Sequence, residues 1–462
     1  MARKVKNQGN VIIFGTAKVG HITFHTKSIK NSRTLHPRYI SMTILIQQAQ
    51  ITDINSPYNG TRQDLLIENG IITQIGQLTN IQADHNISSP NLHVSAGWVD
   101  CFAHFCDPGL EYKETIETGI EAAAAGGYTE VMILPHTAPA IVGKSQVEYI
   151  LKRSENKKVK IHPLGALSKN IEGKDLAEMY DMRKAGAIAF TDGLKPVQSG
   201  GLFLKALQYV KAFNGTIIQI PDDASIGHKG LMHEGIKSTQ LGLPGKPMIA
   251  EEIAVARDLR LLQYTASKLH LTGITSPHSI AQIEAAKKTG LEVTCSICPA
   301  QLFFTDEDLS DYNTNLKLIA PLRTSLEQTQ LKNALISGQI DCIASHHQPH
   351  EYDSKICEFE NAQPGMIALE TAYAAIQTAT GSDLTPERWV QLAAYNPRKI
   401  FGMESPVLDV NHSANITLFD PNIAFTFTES HIQSKSKNSP FIGKKMTGKV
   451  IGTILNQHLH IN

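Results

Sequence analysis

No run of about 18 uncharged apolar residues occurs in the sequence, so no membrane-spanning helix is expected. The apolar stretch Val11-Ile-Ile-Phe14 is too brief for the core of a signal peptide. Excess charge is lacking too: Lys+Arg and Asp+Glu stand at 43 each, and that balance points neither to nucleic acid nor to an acidic membrane. Cysteine is scarce, with six residues (101, 106, 295, 298, 342 and 357) among 462, which excludes a disulfide framework and fits a reducing cytoplasm. There is no internal repeat and no long low-complexity tract. What remains is a chain with 42% apolar residues, enough to bury at least one large core.

The charge balance conceals an asymmetry. Residues 1–41 hold eight Lys/Arg and no Asp or Glu, which leaves 35 basic against 43 acidic residues, a net of −8, in the rest. A basic, acid-free start suits an organellar presequence or an interaction arm. We read it instead as an extension upstream of the fold, because Met42 opens a typical strand, Thr43-Ile-Leu-Ile-Gln-Gln-Ala-Gln-Ile-Thr-Asp53.

From Ile44 to about Val94 short strands alternate with turn residues, and Asn69-Gly70 between two such runs is a strong hairpin signal. After Gly97 apolar strand-like runs alternate with amphipathic helical stretches. The strands include Glu130–Leu134, Ile161–Gly165, Ala187–Thr191, Thr216–Ile220, Leu269–Thr272, Leu291–Ile297 and Ile340–Ser345. Helices are expected at Ala250–Thr265, Ser279–Thr289 and Ser325–Ser337. About eight such units imply a parallel sheet closed into a barrel. After Pro397 the β pattern returns in Ala414–Asp420 and Gly448–Leu455. The expected fold is α/β: a (β/α)8 TIM-type barrel over 97–401, with a small composite β-sandwich from the two chain ends, 42–96 and 402–462, and 1–41 outside it.

Gly97-Trp-Val-Asp-Cys-Phe-Ala-His-Phe-Cys-Asp-Pro-Gly109 looks like the first barrel strand of the amidohydrolase superfamily, whose pattern is Asp-x-His-x-His. Glu111-Tyr-Lys-Glu-Thr-Ile-Glu-Thr-Gly119, Gly165-Ala-Leu-Ser-Lys169 and Glu234-Gly-Ile-Lys-Ser-Thr-Gln-Leu-Gly-Leu-Pro-Gly-Lys-Pro247 resemble dihydroorotases of the long bacterial type. So do Ala250–Arg257, Pro321-Leu-Arg-Thr324, Leu369-Glu-Thr371 and Ser434–Gly443. Each motif is modest alone, but their order and spacing cover nearly the whole chain.

The resemblance implies opening of a cyclic amide, dihydroorotate to carbamoyl-aspartate and back, by zinc-bound water with an Asp on the last strand moving the proton. Zinc lowers the pKa of water from about 15.7 to about 7, on the order of 12 kcal/mol of easier hydroxide formation. Read position by position, the sequence departs from that pattern. The first His of strand one is Phe102, while the second is kept as His104. The Arg expected to clamp the substrate carboxylate is Cys106, and the Asn of the Met-Pro-Asn-Thr turn is His136. The fourth strand's Asp-Asp pair reads Asp192-Gly193, and which of the two is the ligand position stays open. The strand-five His is Ile220, the second strand-six His is Gly273, and the Asn before Pro321 is Ile319. The last strand's Thr-Asp-His-Ala-Pro-His reads Ser345-His-His-Gln-Pro-His350, so His346 stands where the catalytic Asp is expected and His350 at a substrate position.

The resemblance therefore implies a dihydroorotase-like protein of pyrimidine biosynthesis whose metal site is degenerate: no catalytic residue is assigned, and His104 and Asp192 are the metal candidates kept. The expectation is a catalytically inactive scaffold or regulatory subunit for aspartate carbamoyltransferase, without cofactor, in a homo- or hetero-oligomer. The alternative is an active zinc-dependent cyclic amidohydrolase with a remodelled site, built for instance from His104 with His136, His346, His347 or His350. Simpler readings hold elsewhere. Cys295-Ser-Ile-Cys298 sits in a strand, where i and i+3 face opposite ways, and reads as buried structural thiols. His270 reads as a packed core residue, and Tyr180, Tyr209 and Tyr264 as outer-layer packing. Lys435, Lys437, Lys444 and Lys445 read as a solvated face capping the sandwich.

Overall fold

Runs of Val, Ile and Cys with almost no exposed side chain supply the barrel strands, as expected for parallel strands covered on both faces. In the computed structural model they are Trp98–Ala103, Tyr128–Ile133, Lys160–Pro163, Thr216–Gln219, Lys268–Thr272, Val293–Ile297 and Cys342–Ile343. The described residues are 42–227 and 229–462, plus a ladder of Lys6–Asn7 with Asn10–Val11; the role expected for the rest of 1–41 lies outside them.

Neighbouring strands pair in parallel, with Val131 opposite Ile161, Leu269 opposite Ile217, Leu271 opposite Cys295 and Ile297 opposite Ile343. The expected fourth strand, Ala187–Thr191, is reduced to bridges from Phe190 to Gly165 and Ile217. Backbone bonds still run along it, from Ile188 N to the Pro163 carbonyl (3.1 Å), Gly165 N to that of Ala189 (3.0 Å), Thr191 N to Gly165 (2.9 Å) and Leu167 N to Thr191 (3.3 Å). Pro163 has no N–H to extend them, and Asp192 also accepts from the amides of Leu167 and Ser168. The ring closes where Ala103 bridges His347 and the His104 amide donates to the His347 carbonyl at 2.8 Å.

Helices cover the barrel. Ile116–Ala125 starts at a Thr115 capping box, and Pro277–Lys288 starts at Ser276 with Pro277 in its first turn. That Ser-Pro signal begins the helix two residues before its expected start at Ser279. Ile249–Thr265 and Ser325–Ile336 lie within one residue of the expected bounds. Tyr209 packs on Phe213 as anticipated, with centroids 6.0 Å apart. Tyr180 packs on Phe213 too, with centroids 5.7 Å apart, under the Lys184 ammonium, whereas Tyr264 does not pack and is 76% exposed at the end of its helix. Among the described residues no helix is long and apolar enough to cross a membrane.

The two chain ends meet in one sheet. Its order runs His458–Ile461, Lys445–Leu455, Asn415–Thr426, His93–Ala96, Thr43–Ile51, Arg62–Glu68, Ile71–Gly76, with His85–Ile87 added beside Thr43–Ile51. Asn69 and Gly70 turn the expected hairpin with φ of +53° and +81°. The sheet curls back on itself, since Ile71 at its far edge bridges Ser413, and it encloses an apolar core including Ile44, Ile67, Val94, Ile416 and Ile454. The segment after Asn415–Thr426 departs from expectation. Instead of capping the sheet, Ser434–Asn438 crosses the barrel's C-terminal face. Ser434 donates to Glu114, Ser436 Oγ to the Lys113 carbonyl (2.7 Å) and Lys435 Nζ to the Glu111 carbonyl (2.6 Å). Lys444 and Lys445 stay solvated.

Candidate functional site

Active sites of such barrels lie at the C-terminal ends of the strands, and the positions singled out from the sequence gather there. Phe102, near the end of strand one, is 1% exposed and lies against the His346 ring, with centroids 4.6 Å apart and planes at 32°. Phe102 and Ile220 belong to one apolar cluster inside the barrel with Leu134, Leu164 and Ile218, and Ile319 packs against it. His346 itself sits at φ +53° and faces Thr272 Oγ1 across 2.9 Å. Behind it Ser296 Oγ donates to Thr272 Oγ1 (2.7 Å) and meets His270 Nε2 (3.0 Å). His270 is thus a buried, fully hydrogen-bonded core residue, as read from the sequence. Burial holds the His346 ring neutral, down to about 4, and that of His270 to about 3.

The two metal candidates expected from the sequence, His104 and Asp192, are engaged. His104 Nε2 pairs with the His136 carbonyl at 2.9 Å, and Cys106 Sγ lies 3.5 Å from His104 Nδ1. Burial lowers His104 to about 4. Asp192 accepts from the amides of Leu167 (3.0 Å) and Ser168 (2.8 Å) and from the Ser168 hydroxyl. Its carboxyl is nevertheless raised, because desolvation outweighs those bonds. The His136 ring lies edge-on to His104, centroids 6.2 Å apart, with both ring nitrogens shielded and without partners among the described residues. Burial lowers it to about 3.

Histidines further along the last strand face elsewhere. His347 Nδ1 accepts from the amides of Ala368 (3.1 Å) and Leu369 (3.4 Å), which leaves the proton on Nε2, 3.5 Å from Glu114. Burial would raise Glu114, but His347, Ser434 and Thr118 outweigh it and hold the carboxyl low. His350 Nε2 pairs with the Pro364 carbonyl at 3.0 Å, and Lys113 Nζ approaches its Nδ1 at 3.4 Å. Among the described residues no three His, Cys, Asp or Glu side chains converge on a point that would hold a metal. Cys295 and Cys298 do not converge either: Cys295 Sγ turns to the Gln339 carbonyl and Cys298 Sγ to that of Ser345, both buried.

Two features of the mouth escaped the sequence reading. Asp100, wholly buried, accepts from the Ser345 amide (2.6 Å) and hydroxyl (2.8 Å), tying strand one to strand eight. The Glu114–His347 contact is the other. Both acids lie in the quoted motifs, but only the closed barrel brings their partners to them.

Comparison with known proteins completes the picture. The family model described as Dihydro-orotase-like matches residues 93–279. The chain is 39% identical over 416 residues to the dihydroorotase of Acetivibrio thermocellus, covering 89% of this chain and 97% of that one. It is 38% identical over 418 residues to the dihydroorotase of Syntrophus aciditrophicus, covering 90% and 98%. Among solved structures, the L-hydantoinase (dihydropyrimidinase) of Arthrobacter aurescens superposes with a TM-score of 0.78 at 23% identity, over 90% of this chain and 95% of that one. The D-hydantoinase of a Thermus species gives 0.74 at 19%, over 91% and 95%. The structures share the fold, and the near end-to-end match to the sequence relatives goes further: this chain belongs to the dihydroorotase family.

Proposed function

We propose that this dihydroorotase-family chain serves pyrimidine biosynthesis without zinc-dependent turnover, as a scaffold or regulatory subunit for aspartate carbamoyltransferase. The donor chemistry at the mouth carries the reading. Zinc takes four ligands from Cys, His, Asp or Glu, and Phe102, Ile220 and Gly273 stand at positions where the family resemblance expects His. Phe102 and Ile220 fill that space with apolar bulk, and Gly273 has no side chain. The two donors that remain are taken: His104 by a carbonyl, Asp192 by two amides and a hydroxyl. These residues do not fit the metal. The expected substrate clamps read Cys106 and Ile319, which offer no charge and no amide to a carboxylate substrate. The carbamoyltransferase partner rests on the family resemblance.

A second reading has its own support. The relatives that match nearly end to end are named dihydroorotases, and that likeness favours an active enzyme with a remodelled metal site. Metal analysis of the purified chain, together with dihydroorotate turnover with and without chelator, separates the two. The first reading expects substoichiometric zinc, no turnover and co-elution with the carbamoyltransferase. One tightly bound zinc with chelator-sensitive turnover overturns it.

A further inference from the structure

We infer that the altered metal positions form two interlocked exchanges of volume, Gly193 with His136 and Gly273 with His346, which turn the barrel mouth into packed core. The inference rests on the reading of an unligated mouth and deepens it: the site is refilled, not merely stripped. A Cβ placed on Gly193 would lie 2.6 Å from His136 Cε1 and 2.8 Å from its Nδ1. One placed on Gly273 would lie 2.9 Å from His346 Cε1. Carbon atoms that are not bonded pack at about 3.5–4.0 Å, so neither position has room for a side chain while the facing ring stays.

The pairing has a chemical logic. In each pair the residue without a side chain is at, or beside, a position where the resemblance expects a metal ligand. The ring filling its space comes from a position where the resemblance expects a smaller side chain, Asn at 136 and Asp at 346. Each ring therefore fills space at the end of a strand two places away, from the second strand to the fourth and from the eighth to the sixth. The His346 ring is fixed by the Phe102 face at 4.6 Å and by Thr272 at 2.9 Å, with Ser296 and His270 behind. It cannot step aside without breaking that chain. The His136 ring is wedged edge-on to His104, whose Nε2 is tied to the His136 carbonyl. A ligand set consequently cannot return one residue at a time, because a side chain at 193 or 273 meets an imidazole first.

Double-mutant cycles test this on the full-length protein. Gly273→Ala, His346→Ala and their combination form one cycle; Gly193→Ala, His136→Ala and their combination form the other. Gly402→Ala is the control for backbone strain, since Gly402 has φ +67° and open space around its Cβ. We expect Gly273→Ala and Gly193→Ala each to lower the thermal midpoint by at least twice the control shift. In the background lacking the facing ring, each should cost no more than the control. If a single glycine variant does not fold, folding of its double variant supports the exchange, and failure of both overturns it. Equal shifts in the two backgrounds overturn it as well. Zinc content of the same preparations tests the underlying reading separately. Additive shifts in a zinc-free protein sink the exchange alone, whereas one bound zinc per chain sinks the unligated mouth.

Discussion

Replacing Glu130 by Gln removes the carboxylate that bonds the buried guanidinium of Arg398 beneath the barrel. Arg398 is 0% exposed and donates to Glu130 at 2.7 Å, while its other terminal nitrogen serves the carbonyls of Gly97 and Ala394. Glu130, 4% exposed, also pairs with His162 at 2.7 Å and accepts from Asn415 on the terminal sheet. Burial pushes the Glu130 carboxyl up, but His162 and Arg398 outweigh it and hold it at about 2 against an ordinary 4.5. At 1.36 kcal/mol per pH unit, that contributes about 3 kcal/mol to stability. Breaking one side of a buried ion pair independently suggests roughly 3–5 kcal/mol. A depressed carboxyl stabilises fully above the unfolded value near 4.5, and the benefit fades as pH falls toward 2. Urea unfolding at pH 7 should therefore show Glu130→Gln about 3 kcal/mol less stable than the natural chain, the gap closing between pH 4.5 and 2. Adding Arg398→Met should recover more than half, because the stranded charge goes with it. A Gln variant within about 1 kcal/mol of the natural chain at pH 7 would refute the reasoning.

Three further outcomes are expected. Phe102→Ala should cost about 3–5 kcal/mol by urea unfolding, since a fully packed ring is removed; a cost below about 1 kcal/mol would show an open mouth instead. Lys355 is buried, donates to the carbonyls of Thr314 (2.9 Å) and Gln363 (2.7 Å), and is held down to about 7 by burial and by Lys317. The native state therefore binds fewer protons than the unfolded chain between about pH 7 and 10.5, so stability should rise across that window and Lys355→Met should flatten the slope; identical slopes would contradict it. Ellman titration of the native protein should find one fast thiol, Cys357, because the other five are buried and burial raises Cys298 to about 12. Two or more fast thiols would mean the barrel interior opens readily.

Much of the architecture was legible because it is periodic. Alternating apolar runs and amphipathic stretches placed six of the seven barrel strands and the main helices, the first strand, Trp98–Ala103, being marked by its motif, and Asn69-Gly70 marked its hairpin by backbone conformation alone. That the fourth strand is reduced to bridges at Phe190 was not legible, since Ala187–Thr191 has the composition of a strand and still bonds to the backbone of Pro163, Gly165 and Thr216. The path of Ser434–Asn438 was misread for a similar reason. Its lysines resemble a solvated face, yet its serines answer Glu114 and Lys113, more than 300 residues earlier in the chain. Tyr264 was misread in the other direction, as an aromatic on a helix that finds no layer to pack against.

By itself the sequence determined the class of fold and which residue types stand at the positions that the resemblance marks as ligands. Phe102, Ile220 and Gly273 lack the lone pairs zinc takes, whatever surrounds them. Tertiary structure alone decided that His104 and Asp192 are already engaged, that His346 and His136 occupy the room of the side chains missing at 273 and 193, and that Asp100 and Glu114 brace the mouth. Those contacts join residues from 24 to 320 positions apart. No local period encodes such distances; they exist only because the barrel closes and brings the ends of all its strands to one face.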